Sequence, residues 1–128
     1  MALSDNDLLE APVEPTLRAL KALADESRLR ILWMLEKREL CVCEIQALLG
    51  LAQSTASRHL QILEEAGFVA SSREGPWKNY RIHPAPSPLV QGLLAPLRLA
   101  AAGDEEAAEL RRHAAAVCRE QLCRRSAA

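Results

Sequence analysis

A chain of 128 residues, 49% of them apolar, suits one domain with a real interior, and 3% aromatic content makes that interior aliphatic. No apolar run reaches the roughly 18 residues of a membrane span, and the acidic start MALSDNDLLEAP lacks a signal peptide's basic region, so a cytoplasmic protein with four reduced cysteines is expected. A net charge of −1 and a pI of about 6.3 exclude a generally basic nucleic-acid binder, so any DNA contact must rest on local charge.

Residues 1–14 are polar and contain proline, which reads as a flexible N-terminal arm. Pro15 and Thr16 suit a helix start, with Leu17, Leu20, Leu23 and Ala24 on one face. Asp25 to Ser27 are helix-start residues ahead of RLRILWMLEKRE, where Leu29, Leu32, Trp33 and Leu35 make a second apolar stripe. Next comes ELCVCEI, with Cys41 and Cys43 two residues apart. Inside a helix that spacing points the two thiols to nearly opposite sides, because each residue turns about 100°. Two thiols gripping one atom would therefore require the first turn to deform. EIQALLG gives a short helix with Ile45, Leu48 and Leu49 inward and Gly50 ending it.

In LAQSTASRHLQILEEAG, Ala56, Leu60, Leu63 and Ala66 recur every three or four residues before Gly67. Two short helices joined through a glycine turn make a helix-turn-helix, although an ordinary αα-hairpin shares the spacing. FVASSREGPWKNYRIH then changes to a period of two around Gly75–Pro76, which reads as a β-hairpin made locally basic by Arg73, Lys78 and Arg81. Directly after a helix-turn-helix such a hairpin is a wing, suited to phosphate contacts beside the helix that enters the major groove. PAPSP is a stiff linker to two helical stretches, LVQGLLAPLRLAAA, interrupted by Gly92 and Pro96, and GDEEAAELRRHAAAVCREQLC with Asp104 as N-cap. A small interior has little room left for them, so their apolar faces are expected against a second subunit. The expectation is a mostly α fold with a small β-hairpin, a homodimeric winged helix-turn-helix: arm 1–14, DNA-binding domain with the C-V-C site 15–88, C-terminal helices 89–128.

LKALADESRLRILWML, followed by ELCVCEIQALLGLAQSTASRHLQILEEAGFVASSREGPWKNYRIHP, resembles the ArsR/SmtB family of metal-responsive winged-helix repressors. ELCVCEI with SRHLQILEEAGFV looks like its arsenical-resistance branch. The likeness runs over residues 20–84. It implies a homodimer that binds double-stranded operator DNA and leaves it when As(III) or Sb(III) binds as inducer, with no organic cofactor and no membrane partner. It also implies that Cys41 and Cys43 are the arsenite ligands. Where the family has a third cysteine, three residues after the second, this chain has Gln46. The recognition helix aligns at Gln53, Ser54, Thr55, Ser57, Arg58 and His59, with Ala52 where a capping serine often stands. The C-terminal acids and histidines of the family's zinc sensors have no counterpart in LVQGLLAPLRLAAA.

Soft thiolates are the ligands that thiophilic As(III) calls for, and a helix N-terminus favours the thiolate. Cys118 and Cys123 are the other sulfurs, and five residues of helix separate them by about 140°, so they do not share a face. They are the candidates for a third ligand. His59 is expected to face DNA or cap a polar contact, His83 and His113 to face solvent, and Trp33 to lie in the core. Rival readings are a cadmium or lead sensor, a thiol redox sensor of the same fold, and an interaction module that binds no DNA. No nucleophile–base pair or P-loop appears in the sequence, which gives an enzyme no support.

Overall fold

The computed structural model describes residues 13–117, in the order α1 (Val13–Leu23), α2 (Glu26–Leu35), β1 (Leu40–Cys41), α3 (Val42–Leu49), α4 (Gln53–Glu65), β2 (Val69–Glu74), β3 (Trp77–Ile82), α5 (Pro88–Ala102) and α6 (Glu105–Ala116). Side-chain caps start three of the helices. Asp25 Oδ1 accepts from the Arg28 amide at 3.1 Å, Ser87 Oγ from the Val90 amide at 3.2 Å, and Asp104 Oδ2 from the Ala107 amide at 2.9 Å. Gly50 ends α3 with φ +66°, a conformation in which a Cβ would be strained.

The helix-turn-helix is α3 and α4. Strands β2 and β3 pair antiparallel through a two-residue turn that brings Glu74 opposite Trp77, and Gly75 takes φ +60° at its first position. A third strand, β1, pairs with β3 through Leu40↔Tyr80 and Cys41↔Asn79, giving the sheet order β1-β3-β2. Two residues are too short to show alternation, so only the hairpin was readable from the pattern. The core gathers Ile31, Met34, Leu40, Ile45, Leu60, Leu63 and Phe68 between the helices and the sheet.

Several expectations change. Helix α1 already includes Val13 and Glu14, ahead of the Pro15 expected to begin it. Its inward residues are Ala19 and Ala22, whereas Val13, Leu17 and Leu20 remain 49%, 48% and 47% exposed. On α2 the fully buried residues are Ile31, Leu32, Met34 and Leu35, with Leu29 and Trp33 only half-buried. Helices α4 and α6 and strand β3 all contact α2, so it has no single inward stripe. Helix α5 continues through Pro96. The carbonyl that loses its donor there belongs to Gly92, where the backbone has most freedom to move away from the ring.

The C-terminal helices also find room inside their own chain. Helix α6 packs on α2 and α3 and buries Ala107 and Ala114, while α5 buries Val90, Leu94 and Ala101. Alanines at the contact let the helix axes approach closely, which creates interior that a residue count does not anticipate. Leu99 on α5 stays 78% exposed.

Phe68, at 0% exposure, joins the end of α4 to β2. Phe68→Ala should lower stability by about 3–5 kcal/mol, read as a lower urea midpoint at unchanged slope.

Candidate thiol site and nucleic-acid interface

Cys41 is the last residue of β1 and the N-cap of α3, with extended backbone angles (φ −87°, ψ 166°), while Cys43 lies inside the first turn. The 100° rule does not reach across that boundary. The sulfurs of Cys41 and Cys43 are 2.7 Å apart, with the first turn of α3 intact. This corrects the expectation that convergence requires the helix to deform. An ion held at ~2.3 Å from each sulfur, with a near-right angle between the bonds, needs them about 3.3 Å apart. A small opening of the pair is enough.

Glu44 builds the site from beneath. The sequence C-V-C-E is a capping box with a thiol in the place of a hydroxyl. Glu44 Oε1 accepts from the Cys41 amide at 2.9 Å, and the Cys41 sulfur faces the Glu44 amide. The Glu44 carboxylate is 1% exposed, and Arg38 Nη2 donates to its other oxygen at 3.1 Å. The same guanidinium donates through Nη1 to the carbonyls of Ala114 at 3.0 Å and Val117 at 3.3 Å, at the end of α6. Neither Arg38 nor Glu44 was singled out from sequence. The signal was the i,i+3 Cys–Glu spacing of a capping box, masked by a cysteine where serine or threonine is usual.

The helix N-terminus does not make Cys41 a thiolate, contrary to expectation. Burial pushes its thiol well above the ordinary 9.0; the contact with Cys43 and the nearby Glu44 carboxylate push it further, against the opposing Glu44 amide. Any ion bound here must displace that proton. Cys43 is partly exposed, giving the pair one inner and one outer sulfur. Among the described residues no group of three or more His, Cys, Asp or Glu side chains is arranged to hold a metal. Cys118 and Cys123 lie outside the described residues.

On α4, Gln53, Ser54, Thr55 and Arg58 are exposed and Ser57 is half-buried. Ala52 offers no side-chain acceptor to the first amides of the helix. Of the two roles expected for His59, the structure shows the polar contact: the ring turns inward and away from the exposed face. Its Nδ1 accepts from Arg28 Nη1 at 3.1 Å and lies 4.0 Å from Asp25, with the side chain 15% exposed. Arg28 also donates to the carbonyls of Ala22 at 2.6 Å and Lys21 at 3.2 Å, so it braces the recognition helix against the end of α1. A residue on the expected outer face is captured because α1 and α2 close over that flank.

The wing residues divide between two faces. Arg73 and Lys78 are directly opposed on one face, with Tyr80 beside them, whereas Arg81 opposes Ala70 on the other. Two like charges directly opposed repel unless an anion lies between them. Lys78 also lines a cleft of about 370 Å³ shared with Ser57 and Gln61 of α4 and Val42, the residue between the two cysteines. Ser71 of β2 donates to Glu64, tying the wing to the recognition helix.

Residues 25–71 match the family described as "Bacterial regulatory protein, arsR family". The chain is 43% identical over 75 residues to the arsenic resistance transcriptional regulator ArsR1 of Pseudomonas putida, covering 58% of this chain and 59% of that protein. It is 45% identical over 65 residues to the arsenical resistance operon repressor of Escherichia coli, covering 50% and 56%. A cadmium resistance regulatory protein CadC homolog of Staphylococcus aureus is 36% identical over 59 residues, 45% and 49% of the two chains. The chain thus spans less than two thirds of the length of these curated relatives. Among solved structures, the homodimeric winged helix-turn-helix DNA-binding domain of Mb0332 from Mycobacterium bovis is 36% identical at a TM-score of 0.65, covering 80% of this chain and 91% of that one.

The raised Cys41 thiol has a consequence for stability. Above about 9.0 the unfolded chain releases the Cys41 proton while the folded chain keeps it, so this group's contribution is full below that value and is lost as pH rises beyond it. The melting temperature of the wild type should fall relative to Cys41→Ser as pH rises through that value. A gap that stays constant with pH would mean the thiol is ordinary.

Proposed function

We propose, for a chain that belongs to the arsR family of bacterial regulatory proteins, a dimeric repressor that leaves its operator when As(III), or Sb(III), binds Cys41 and Cys43. The family makes it a winged helix-turn-helix transcriptional repressor; the inducer, the operator and the dimer are this reading's own. The observation that carries it is the convergence of Cys41 and Cys43 at the start of α3, the helix that packs on recognition helix α4. Opening the sulfurs to admit an ion moves the first turn of α3. Val42 then shifts a wall of the cleft shared by α4 and the wing. To work as a switch, the ion must favour the released state by about 1–3 kcal/mol.

Gln53, Ser54, Thr55, Ser57 and Arg58 are the proposed contacts to bases and phosphates, with Arg73 and Lys78 on the backbone through one wing face. Arg81 would need a different phosphate, because it points the other way. His59 leaves this set and serves as a brace. Two recognition helices related by a dimer axis would enter major grooves about 34 Å apart. Val13, Leu17 and Leu20 on α1 and Leu99 on α5 are half to three-quarters exposed, which supports a partner subunit over them. Among the described residues no helix is long and apolar enough to cross a membrane; a cytoplasmic location is part of the proposal.

Arg38 ties the carbonyl of Val117, the last described residue, to the Glu44 carboxylate. Cys118, with Cys123 as second candidate, is the proposed third sulfur where the family has a cysteine and this chain has Gln46. A thiol redox switch is the second reading, favoured by the 2.7 Å contact and disfavoured by the burial that keeps Cys41 protonated. A cadmium or lead sensor would use the same two sulfurs.

Cys41→Ser and Cys43→Ser should each bind operator as the wild type does and resist release by arsenite; release at the wild-type concentration would remove the pair from the sensor. Peroxide releasing the wild type where arsenite does not would select the redox reading. Arg58→Ala should weaken operator binding strongly in a gel shift, while Lys78→Ala should weaken binding to any sequence and flatten its salt dependence by about one phosphate. X-ray absorption at the arsenic edge should count three sulfurs in the wild type and two in the Cys118→Ser, Cys123→Ser double variant. A count of two in both would leave solvent as the third ligand.

A further inference from the structure

The bonds around Arg38 form a continuous path from the thiol pair to the end of the chain's last described helix. The Cys41 amide donates to Glu44 Oε1 at 2.9 Å, Arg38 donates to Glu44 Oε2 at 3.1 Å, and Arg38 donates to the carbonyls of Ala114 and Val117. The Glu44 carboxylate is fully buried, and Arg38 is the cation paired with it. A buried carboxylate without its counter-charge is strongly destabilised, so Arg38 must follow wherever Glu44 goes. A guanidinium has a rigid planar fork, so it cannot follow Glu44 and also keep both α6 carbonyls in line.

We propose that Arg38 is a positioning residue that transmits occupancy of the Cys41–Cys43 pair to the C-terminal end of α6, through the buried Glu44 carboxylate. This inference rests on the thiol pair being an ion site, as proposed above, and adds where the signal goes besides α4. Opening the sulfurs displaces the Cys41 amide, because Cys41 is 1% exposed in packed surroundings that block rotation of its side chain alone. Glu44 accepts from that amide and shifts with it. Arg38 then loses alignment with Ala114 and Val117, and the last turn of α6 is released from the body of the domain. The reverse also holds: an α6 end that stays docked biases the thiols toward the closed pair.

Two substitutions separate this role from mere support. Glu44→Gln keeps an oxygen for the Cys41 amide but removes the charge that holds Arg38. Arg38→Lys keeps a cation for Glu44 but lacks the fork that reaches both α6 carbonyls. The experiment measures amide hydrogen exchange at residues 113–117 of the full chain, free and saturated with arsenite or, separately, with cadmium ion, saturation being followed by the sulfur-to-ion absorption band. In the wild type, either ion should raise exchange at these amides by about tenfold. In Arg38→Lys and Glu44→Gln the band should still form, while the exchange at 113–117 should be the same with and without ion. A support role alone would raise exchange in the variants yet leave the ion-dependent change in place.

Wild-type exchange at 113–117 that ignores a bound ion overturns the proposal, and so does an ion-dependent rise of wild-type size in both variants. Operator binding in the same samples tests the repressor reading by itself. An ion that raises exchange but does not release DNA would remove the arsenite-release reading and leave the Arg38 path standing.

Discussion

A single buried carboxylate organises the thiol end of this molecule. Glu44 is 1% exposed, and its two oxygens are used for different tasks, one on the Cys41 amide and one on Arg38. The first bond fixes where α3 begins, which sets Cys41 outside the helix and Cys43 inside it. The second bond anchors α6 on the far side. Without Glu44 the amide at the helix start loses its acceptor, and a buried amide without one costs on the order of 1–3 kcal/mol. Burial first, and the contact with Cys43 next, raise the Cys41 thiol, with the Glu44 charge adding to them.

Cys41 stands at the junction of a strand and a helix. It ends β1, caps α3 and touches Cys43, so a change at its sulfur acts on the sheet and on the helix together. Strand β1 is paired with β3 of the wing, and α3 packs on α4. Helix α4 and the wing are therefore each one contact from the thiol pair. The core beneath them is close-packed from residues such as Ile45, Leu60 and Phe68, and a packed interior passes displacement on instead of absorbing it.

Support for α4 comes from two sides. Arg28 and Asp25 hold His59 at its inner flank, while Ser71 holds Glu64 near its end. These contacts fix the helix that carries the exposed face with Ser54 and Arg58. Exposed leucines on α1 and α5 mark apolar surface that the described residues leave uncovered.

What the sequence determined by itself was the part governed by local rules. The periodicity of Ala56, Leu60 and Leu63, the turns at Gly50 and Gly75, and the caps Asp25 and Asp104 gave the helix-turn-helix, the wing and the helix starts. The C-V-C pair was legible as a thiol constellation for the same reason. Tertiary structure decided what depends on neighbours distant in the chain. Strand β1 exists because β3 pairs with it, and His59 turns inward because α1 and α2 enclose its flank. Arg73 and Lys78 part from Arg81 because strand register assigns faces. Above all, Cys41 and Cys43 converge because Glu44, Arg38 and β1 together place the helix boundary between them, and a boundary is a property of packing that a helical angle per residue does not contain.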